Sequence, residues 1–222
     1  MRQAGAMVAE TFAEFEGLFC LSQALHGKTV AGRRLAAVSN AGFESVGMAD
    51  NIEGQDCALL IASYAEETKE RLARILREAG FEGLAEVKNP LDLTPMMTES
   101  ALEAVVGALG EDPNVDAVIA GITPLAPLLR TLPAEMAVRD GEKDRNVAER
   151  LSEEAARLDK PVVVVVDSGP LYDPRALALG ERGLPVFRSG DQAVKTLGKY
   201  IRGRLQDRGI ALASREAGCS TS

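Results

Sequence analysis

Short apolar runs alternate along the chain with longer segments in which apolar residues recur at helical spacing. Six of the runs lack polar alternation, as strands buried on both faces of a sheet do: residues 35–38, 58–62, 84–87, 116–120, 161–166 and 184–187. Strands that alternate with helices in this way predict a parallel sheet covered on both faces. The pattern therefore predicts an α/β fold, a doubly wound parallel sheet of flavodoxin-like type with three αβα layers.

The two ends of the chain lie outside this alternation. Residues 10–25 predict an N-terminal amphipathic helix with a strong apolar stripe that consists of Phe12, Phe15, Leu18, Phe19 and Leu25. A closing helix is predicted at residues 191–205. From Gln206 onward the chain is polar and low in pattern, so residues 206–222 are predicted to form a flexible tail. Because no internal repeat or linker divides residues 1–205, they are predicted to form a single domain that includes the N-terminal helix.

Charge and composition exclude several classes of function. The net charge is −8 and the sequence pI is about 4.9, whereas a nucleic-acid surface needs a basic stripe. No apolar run reaches the roughly 18 residues of a membrane span. The single histidine cannot build a metal-ligand cluster, and nothing resembles a Ser-His-Asp or Cys-His pair. Three cysteines far apart in sequence are typical of reduced thiols, so we expect a cytoplasmic protein. Together with the charge, the hydropathy and the single histidine, this gives the expectation of no metal, membrane or nucleic-acid partner.

The turn after the first strand is the most informative stretch of the chain. Residues 35–38 end abruptly at Ser39-Asn40-Ala41-Gly42, and helical spacing follows. A strand, a tight turn of small residues and a helix together aim unpaired backbone N–H groups at whatever occupies the turn. One interpretation is an ordinary turn with Asn40 as the helix cap. The other is a seat for an anion or phosphate.

Other loops favour the anion seat, because ligands of doubly wound sheets bind beyond the strand ends where the strand order reverses. For the order 2-1-3-4-5 this crevice lies between strands one and three. The third strand runs into Asn89-Pro90-Leu91-Asp92, so its loop is expected to face the same crevice as the first turn. Residues 121–124, after the fourth strand, are expected beside them.

Three motifs carry a resemblance to a known family: VSNAG after strand one, NPLDLT after strand three, and DPNVDAVIAG running into strand four. They resemble the C-terminal domain of the alpha part of NDP-forming acyl-CoA synthetases. These are the ADP-forming acetate–CoA ligases, which are relatives of succinyl-CoA synthetase. The resemblance also implies membership of the CoA-binding protein family. The resemblance spans about residues 2–200 and implies the flavodoxin-like domain type of succinyl-CoA synthetase.

The resemblance implies a role in phosphoryl transfer. In that family a mobile histidine is phosphorylated and carries phosphate between an acyl-CoA site and a nucleotide site, and a helix N-terminus of this domain type helps to receive the phosphohistidine. Carried over to this chain, the seat and its edge would be formed by Asn40, Ala41, Gly42, Asn89, Asp92 and Thr94. No residue is implied to be catalytic. His26 does not match the family's phosphohistidine loop.

The resemblance also implies what the chain works with. The family uses CoA, ATP or ADP, and Mg, and we expect this chain alone to bind none of them. Its partners would be CoA-binding and ATP-grasp domains or subunits of the same synthetase, and homo-oligomer formation is left open. The isolated chain is therefore expected to be inactive as an acid–CoA ligase.

A second interpretation stays open because two residues depart from the family's pattern. Small residues usually follow the turn, but Phe43 and Glu44 stand there in this chain. The Glu44 carboxylate competes for the helix end that a phosphate would occupy. The alternative is a degenerate copy of the domain that acts as a structural or regulatory interaction module.

Overall fold

The computed structural model describes residues 6–53, 59–124 and 146–219, with side chains as far as Gln206 and excepting Glu53. The strands within this part of the chain are β1 Arg34–Ser39, β2 Leu60–Ile61, β3 Leu91–Asp92, β4 Ala117–Ile122, β5 Val162–Val166 and β6 Val186–Phe187. Its α-helices are α1 Phe12–Ala24, α2 Gly42–Glu53, α3 Glu66–Glu78, α4 Glu99–Glu111, α5 Val147–Arg157, α6 Asp173–Glu181 and α7 Gly190–Cys219.

The strands form one parallel sheet in the order β2-β1-β4-β5-β6, and β3 also pairs with β1. Because β4 pairs with β1 from Leu35 to Ser39, both β2 and β3 must lie on the other edge of that strand. There β2 pairs at Arg34 and Leu35, and β3 pairs at Val38 and Ser39. The doubly wound α/β fold with flanking helices is confirmed.

The strand order reverses between β1 and β4, which moves the crevice from its predicted place. The prediction put it between strands one and three, but β3 shares an edge of β1 with β2. The crevice at the carboxyl ends of β1 and β4 is therefore the switch point of this sheet.

The third strand is β3, and the prediction of a strand at residues 84–87 is wrong. The chain turns there after α3, with Gly80 and Gly83 at positive φ. The N–H groups of Leu84 and Ala85 both donate to the carbonyl of Phe81, and Leu84 is 68% exposed. A short apolar run was mistaken for a strand because periodicity alone cannot distinguish a strand from an apolar turn.

The side chain of Asn89 fills the gap between β2 and β3 along the edge of β1. Its Oδ1 accepts the N–H of Ala37 at 3.0 Å, and its Nδ2 donates to the carbonyls of Leu35 and Ala62 at 2.7 and 3.0 Å. An amide side chain thus makes the hydrogen bonds that a continuous neighbouring strand would otherwise supply.

Helices cover the sheet on both faces and enclose two apolar cores. One core packs α3, α4, α5 and α6 against alternate residues of the central strands, among them Val38, Ala120 and Val164. The other packs α1, α2 and α7 against the residues between them, such as Ala37 and Ile119. Every residue of β4 and β5 is buried, which confirms for these two apolar runs that they are strands covered on both faces.

The terminal helices differ in detail from their predictions. The N-terminal helix is present as α1, and the two leucines of the predicted stripe, Leu18 and Leu25, are buried. Leu21 is buried as well, whereas Phe12, Phe15 and Phe19 are all more than half exposed. The closing helix does not end at Leu205, because α7 continues as backbone helix to Cys219. The flexibility of residues 206–222 stays a prediction. A short helix that the pattern predicts at residues 125–132 lies outside the described residues.

Among the described helices, none is both long and apolar enough to span a bilayer.

Candidate switch-point site

The turn from β1 to α2 is held by a relay of hydrogen bonds. The N–H of Ala41 donates to Ser39 Oγ at 3.1 Å, and the Ser39 hydroxyl donates to the Glu44 carboxylate. Glu44 is the third residue of α2, where a glutamate commonly reaches back to the N-terminal turn of its own helix. Here the contact passes through the serine hydroxyl. The relay fixes the start of α2 against the end of β1.

Asn40 joins the two strands of the crevice and is not a helix cap. Its Nδ2 donates to the carbonyl of Thr123 at 2.9 Å, and its Oδ1 accepts the N–H of Thr123 at 2.7 Å. Thr123 directly follows β4. The Asn40 side chain therefore ties the end of β1 to the end of β4, so only its backbone is available to a ligand.

The first N–H groups of α2 are the free donors of the site. Within the described part of the chain, the N–H groups of Gly42 and Phe43 have no hydrogen-bond acceptor. They open a helix of 12 residues, whose dipole adds positive potential at this end. Phe43 is 65% exposed, so the donors lie at the surface of the molecule.

The 89–94 loop lies beside these donors, as the sequence predicts. Asp92 pairs in register with Ser39, and the N–H of Leu93 donates to the Ser39 carbonyl at 2.8 Å. A Cβ on Gly42 would lie 2.9 Å from Asp92 Oδ2, so this carboxylate touches the start of α2. The other carboxylate oxygen of Asp92 accepts the N–H of Thr94 at 2.9 Å, with Thr94 in the left-handed region at φ 62°.

The six predicted site residues therefore separate into two groups. Ala41, Gly42, Asp92, Thr94 and the backbone of Asn40 meet at the carboxyl end of β1. Asn89 precedes this edge, and its side chain is fully occupied within the sheet.

Glu44 is a buried carboxyl group at the switch point. It is only 3% exposed, and its carboxyl lies against Gly121 of β4. A Cβ at residue 121 would lie 2.7 Å from Glu44 Cδ and 3.0 Å from Ser39 Cβ, so glycine leaves the space that this side chain fills. Burial raises the pKa of Glu44 to about 7, against the opposing hydrogen bond from Ser39, and Asp167 raises it further.

Five buried side-chain oxygens of the described residues lack a hydrogen-bond partner: Glu44 Oε1, Ser45 Oγ, Tyr64 Oη, Thr123 Oγ1 and Ser168 Oγ. Glu44 and Ser45 lie in the first turn of α2, and the other three follow β2, β4 and β5. Buried polar groups normally pair with protein or with ordered water. All five therefore lie on segments that follow the carboxyl ends of strands.

Three contributors to this site were not among the six predicted site residues, although the sequence places the turn that begins at Ser39 and residues 121–124 at this edge of the sheet. Ser39 and Thr123 are ordinary polar residues at strand ends, and only the register of β1 with β4 brings them together. Gly121 interrupts an apolar run, and such a glycine can signal the close approach of another group. No group of three His, Cys, Asp or Glu side chains in the described residues is arranged to hold a metal ion.

The chain is similar in sequence to a curated protein and in fold to several solved structures. No family model matches the chain. The chain is 27% identical over 188 residues to the alpha subunit of acetate–CoA ligase [ADP-forming] II of Pyrococcus furiosus, which covers 84% of the chain and 36% of that subunit. The resemblance to NDP-forming acyl-CoA synthetases is confirmed.

Solved structures share the fold. A protein of Pyrococcus horikoshii OT3 superposes with a TM-score of 0.71 and 23% identity, over 92% of this chain and 42% of that one. The dinucleotide-forming acetyl-coenzyme A synthetase 1 of Candidatus Korarchaeum cryptofilum gives 0.71 in its apo form, with 18% identity over 96% of this chain and 42% of that one. Its complex with phosphate and ADP gives 0.70, again with 18% identity.

These relatives are much longer proteins. The chain spans about a third of the length of the curated ligase subunit it matches, and about two fifths of the solved chains. The similarity supports a role as a subunit or domain of a synthetase of this kind.

Proposed function

We propose that this chain is a domain or subunit of an NDP-forming acyl-CoA synthetase, in which the N-terminus of α2 receives the phosphoryl group of a phosphohistidine. The histidine belongs to a partner domain. CoA-binding and ATP-grasp domains of the same assembly supply the sites for CoA, nucleotide and Mg. The isolated chain makes no acyl-CoA.

The free N–H groups of Gly42 and Phe43 carry this proposal. They point out of the first turn of a helix, at the edge of the sheet where ligands of doubly wound folds bind. A phosphoryl group on histidine carries negative charge on three oxygens. Two backbone donors and the positive end of the helix dipole suit such a group.

The surroundings explain why the seat would receive a phosphoryl group without reacting with it. The other polar groups of the turn are hydrogen-bonded within the protein. Ser39 Oγ accepts the N–H of Ala41, and the side chain of Asn40 donates to the carbonyl of Thr123. The seat stabilises the charge of the phosphohistidine while its own domain takes no covalent part.

The alternative, an interaction module without a phosphoryl role, is favoured by one observation. Two carboxyl groups already lie at the start of α2: Asp92 touches Gly42, and Glu44 lies behind the turn. Carboxylates near a helix N-terminus compensate its dipole and repel an arriving anion. If both were ionised whenever the chain meets its partner, the seat would be filled by the protein itself.

Replacing Gly42 tests the proposal with a matched pair of variants. Proline is tolerated at the first position of a helix, so Gly42→Pro removes one donor and keeps α2. Gly42→Ala adds the same Cβ beside Asp92 and keeps the donor. We expect Gly42→Pro to bind inorganic phosphate about tenfold more weakly than Gly42→Ala in calorimetric titrations, because a hydrogen bond to a charged group is lost.

Two results would count against the proposal. Equal phosphate affinity of the two variants would mean that the N–H of Gly42 does not contact the anion. Absence of phosphate binding by the wild-type chain, with α2 intact by circular dichroism, would favour the interaction module.

A further inference from the structure

Resting on the proposed function, we propose that Glu44 and the N-terminus of α2 form one proton-coupled anion site. The N–H groups of α2 donate hydrogen bonds to a tetrahedral dianion, and Glu44 takes up one proton, which the acid form of the buffer supplies. Glu44 is then the residue that decides under which conditions the seat accepts its ligand.

The hydrogen-bond relay supplies the physical connection between carboxyl and seat. Glu44 is bound to the Ser39 hydroxyl, and Ser39 Oγ is bound to the N–H of Ala41, the residue before the free donors. A change in the charge of Glu44 therefore alters the hydrogen bonds of Ala41, the residue next to the free donor of Gly42. The Glu44 carboxyl also belongs to the first turn of α2, where the helix dipole acts.

The space around Glu44 is built to keep the side chain inside. Gly121 on β4 leaves room for the carboxyl, and Gly190 at the start of α7 lies near its stem, with a Cβ there 3.9 Å from Glu44 Cγ. With 3% exposure the carboxyl has almost no contact with bulk water. An ionised carboxylate in this place is poorly solvated, and a second anion nearby makes ionisation harder still.

One oxygen of Glu44 is left unpaired and can carry the proton. Ser39 donates to Oε2, whereas Oε1 has no partner among the described residues. A protonated carboxyl becomes a donor through this second oxygen. Thr123 Oγ1 and Ser168 Oγ, after β4 and β5, are likewise buried without a partner among the described residues.

The charged groups on neighbouring elements do not offset this effect. Asp167 after β5 adds negative charge that acts on Glu44, and Asp92 of β3 lies at the start of α2 beside Gly42. On α7 and the segment before it, the cations pair with other carboxylates: Arg188 pairs with Asp173 at 3.0 Å, and Lys195 pairs with Asp191 at 2.8 Å. The residues of β1 and β4 that contact the Glu44 carboxyl, Ser39 and Gly121, are uncharged. Since the pKa of Glu44 is already about 7, the arrival of a dianion would raise it further and draw a proton onto the carboxyl.

Inorganic sulfate separates this coupling from the titration of phosphate itself. Sulfate is a tetrahedral dianion at every pH in the range of interest, so its own charge stays constant. We expect the wild-type chain to bind sulfate about ten- to thirtyfold more tightly at about pH 6 than at about pH 8.5, the upper figure being the limit for full coupling to one group of pKa about 7. Amide shifts of residues 40–45 in NMR titrations would locate the binding.

Two variants and one direct measurement make the test specific. Glu44→Gln, always neutral, should bind sulfate with the low-pH affinity of the wild type and change less than about twofold across this range. Asp92→Asn, the matched control at the other carboxylate, should strengthen binding at both pH values and keep the pH dependence. Calorimetry of the wild type in two buffers of different ionisation enthalpy should detect proton uptake on binding near neutral pH.

The outcomes separate this inference from the proposed function. Sulfate binding at residues 40–45 that is independent of pH and takes up no proton would overturn the coupling and leave the anion seat intact. A sulfate affinity of Glu44→Gln that still depends on pH would also overturn the coupling, because the proton would then belong to another group. If neither the wild type nor Glu44→Gln binds sulfate at either pH, the seat and its coupling fall together.

Discussion

Replacing Asn89 by alanine is expected to lower the free energy of unfolding by about 2–4 kcal/mol. The substitution removes three hydrogen bonds to the edge of the sheet. The carbonyl of Leu35 still accepts the N–H of Ala62, but the N–H of Ala37 and the carbonyl of Ala62 lose the asparagine. Leaving buried backbone groups without partners costs far more than the net worth of the bonds. Urea unfolding of wild type and variant would measure the difference.

Asn51 provides the matched control for this prediction. Its side chain also donates to a backbone carbonyl, that of Gly47, but within the half-exposed surface of α2. Alanine there should change stability by about 0.5 kcal/mol or less, because alanine favours the helix and water can reach the freed carbonyl. If Asn89→Ala were as mild as Asn51→Ala, the sheet would not depend on the asparagine amide.

Replacing Gly121 by alanine is expected to destabilise the fold by about 2–3 kcal/mol. The new methyl group would lie 2.7 Å from Glu44 Cδ and 3.0 Å from Ser39 Cβ, well inside normal contact. Glu44 is too deeply buried to move aside without leaving its hydrogen bond to Ser39. The free energy of unfolding from denaturant titration would report the loss.

A double-mutant cycle shows whether Glu44 is the cause. Glu44→Ala removes the side chain that meets the new methyl group, so the combined variant should be more stable than the sum of the two single changes predicts, by about 1–2 kcal/mol. Additive effects of the two substitutions would show that the carboxyl does not lie against β4 at residue 121.

The alternation of apolar runs and helical segments was enough to predict the class of fold. β4 and β5 are apolar at every position because they are covered on both faces, and this pattern is legible in one sequence. The motifs at the ends of β1 and β3 also located the edge of the sheet where the candidate site lies. Parallel strands bring their carboxyl ends together whatever their order.

The errors arose where a side chain replaces regular structure or where distant elements meet. The third strand was misplaced because β3 has only two residues and the Asn89 amide does the work of the missing ones. A polar side chain in that role leaves no periodic signal. The buried face of α1 was misjudged because its phenylalanines are the most apolar residues of the helix, yet they lie on the outer side.

Glu44 illustrates the limit of local reasoning. Its position in the first turn of a helix suggested a carboxylate that competes with a phosphate for the helix end. Its burial depends on Gly121, a residue 77 positions later that β4 brings next to β1. A single sequence contains both residues without showing that they touch.

In the proposed function, the start of α2 receives a phosphoryl group carried by another protein segment. An NMR titration of the chain with a peptide that carries a stable phosphohistidine analogue, and with the same peptide unphosphorylated, tests this directly. We expect saturable shifts of the Gly42 and Phe43 amides with the phosphorylated peptide alone, since its charge is what those donors bind. Equal shifts with both peptides, or shifts that leave Gly42 and Phe43 untouched, would contradict it.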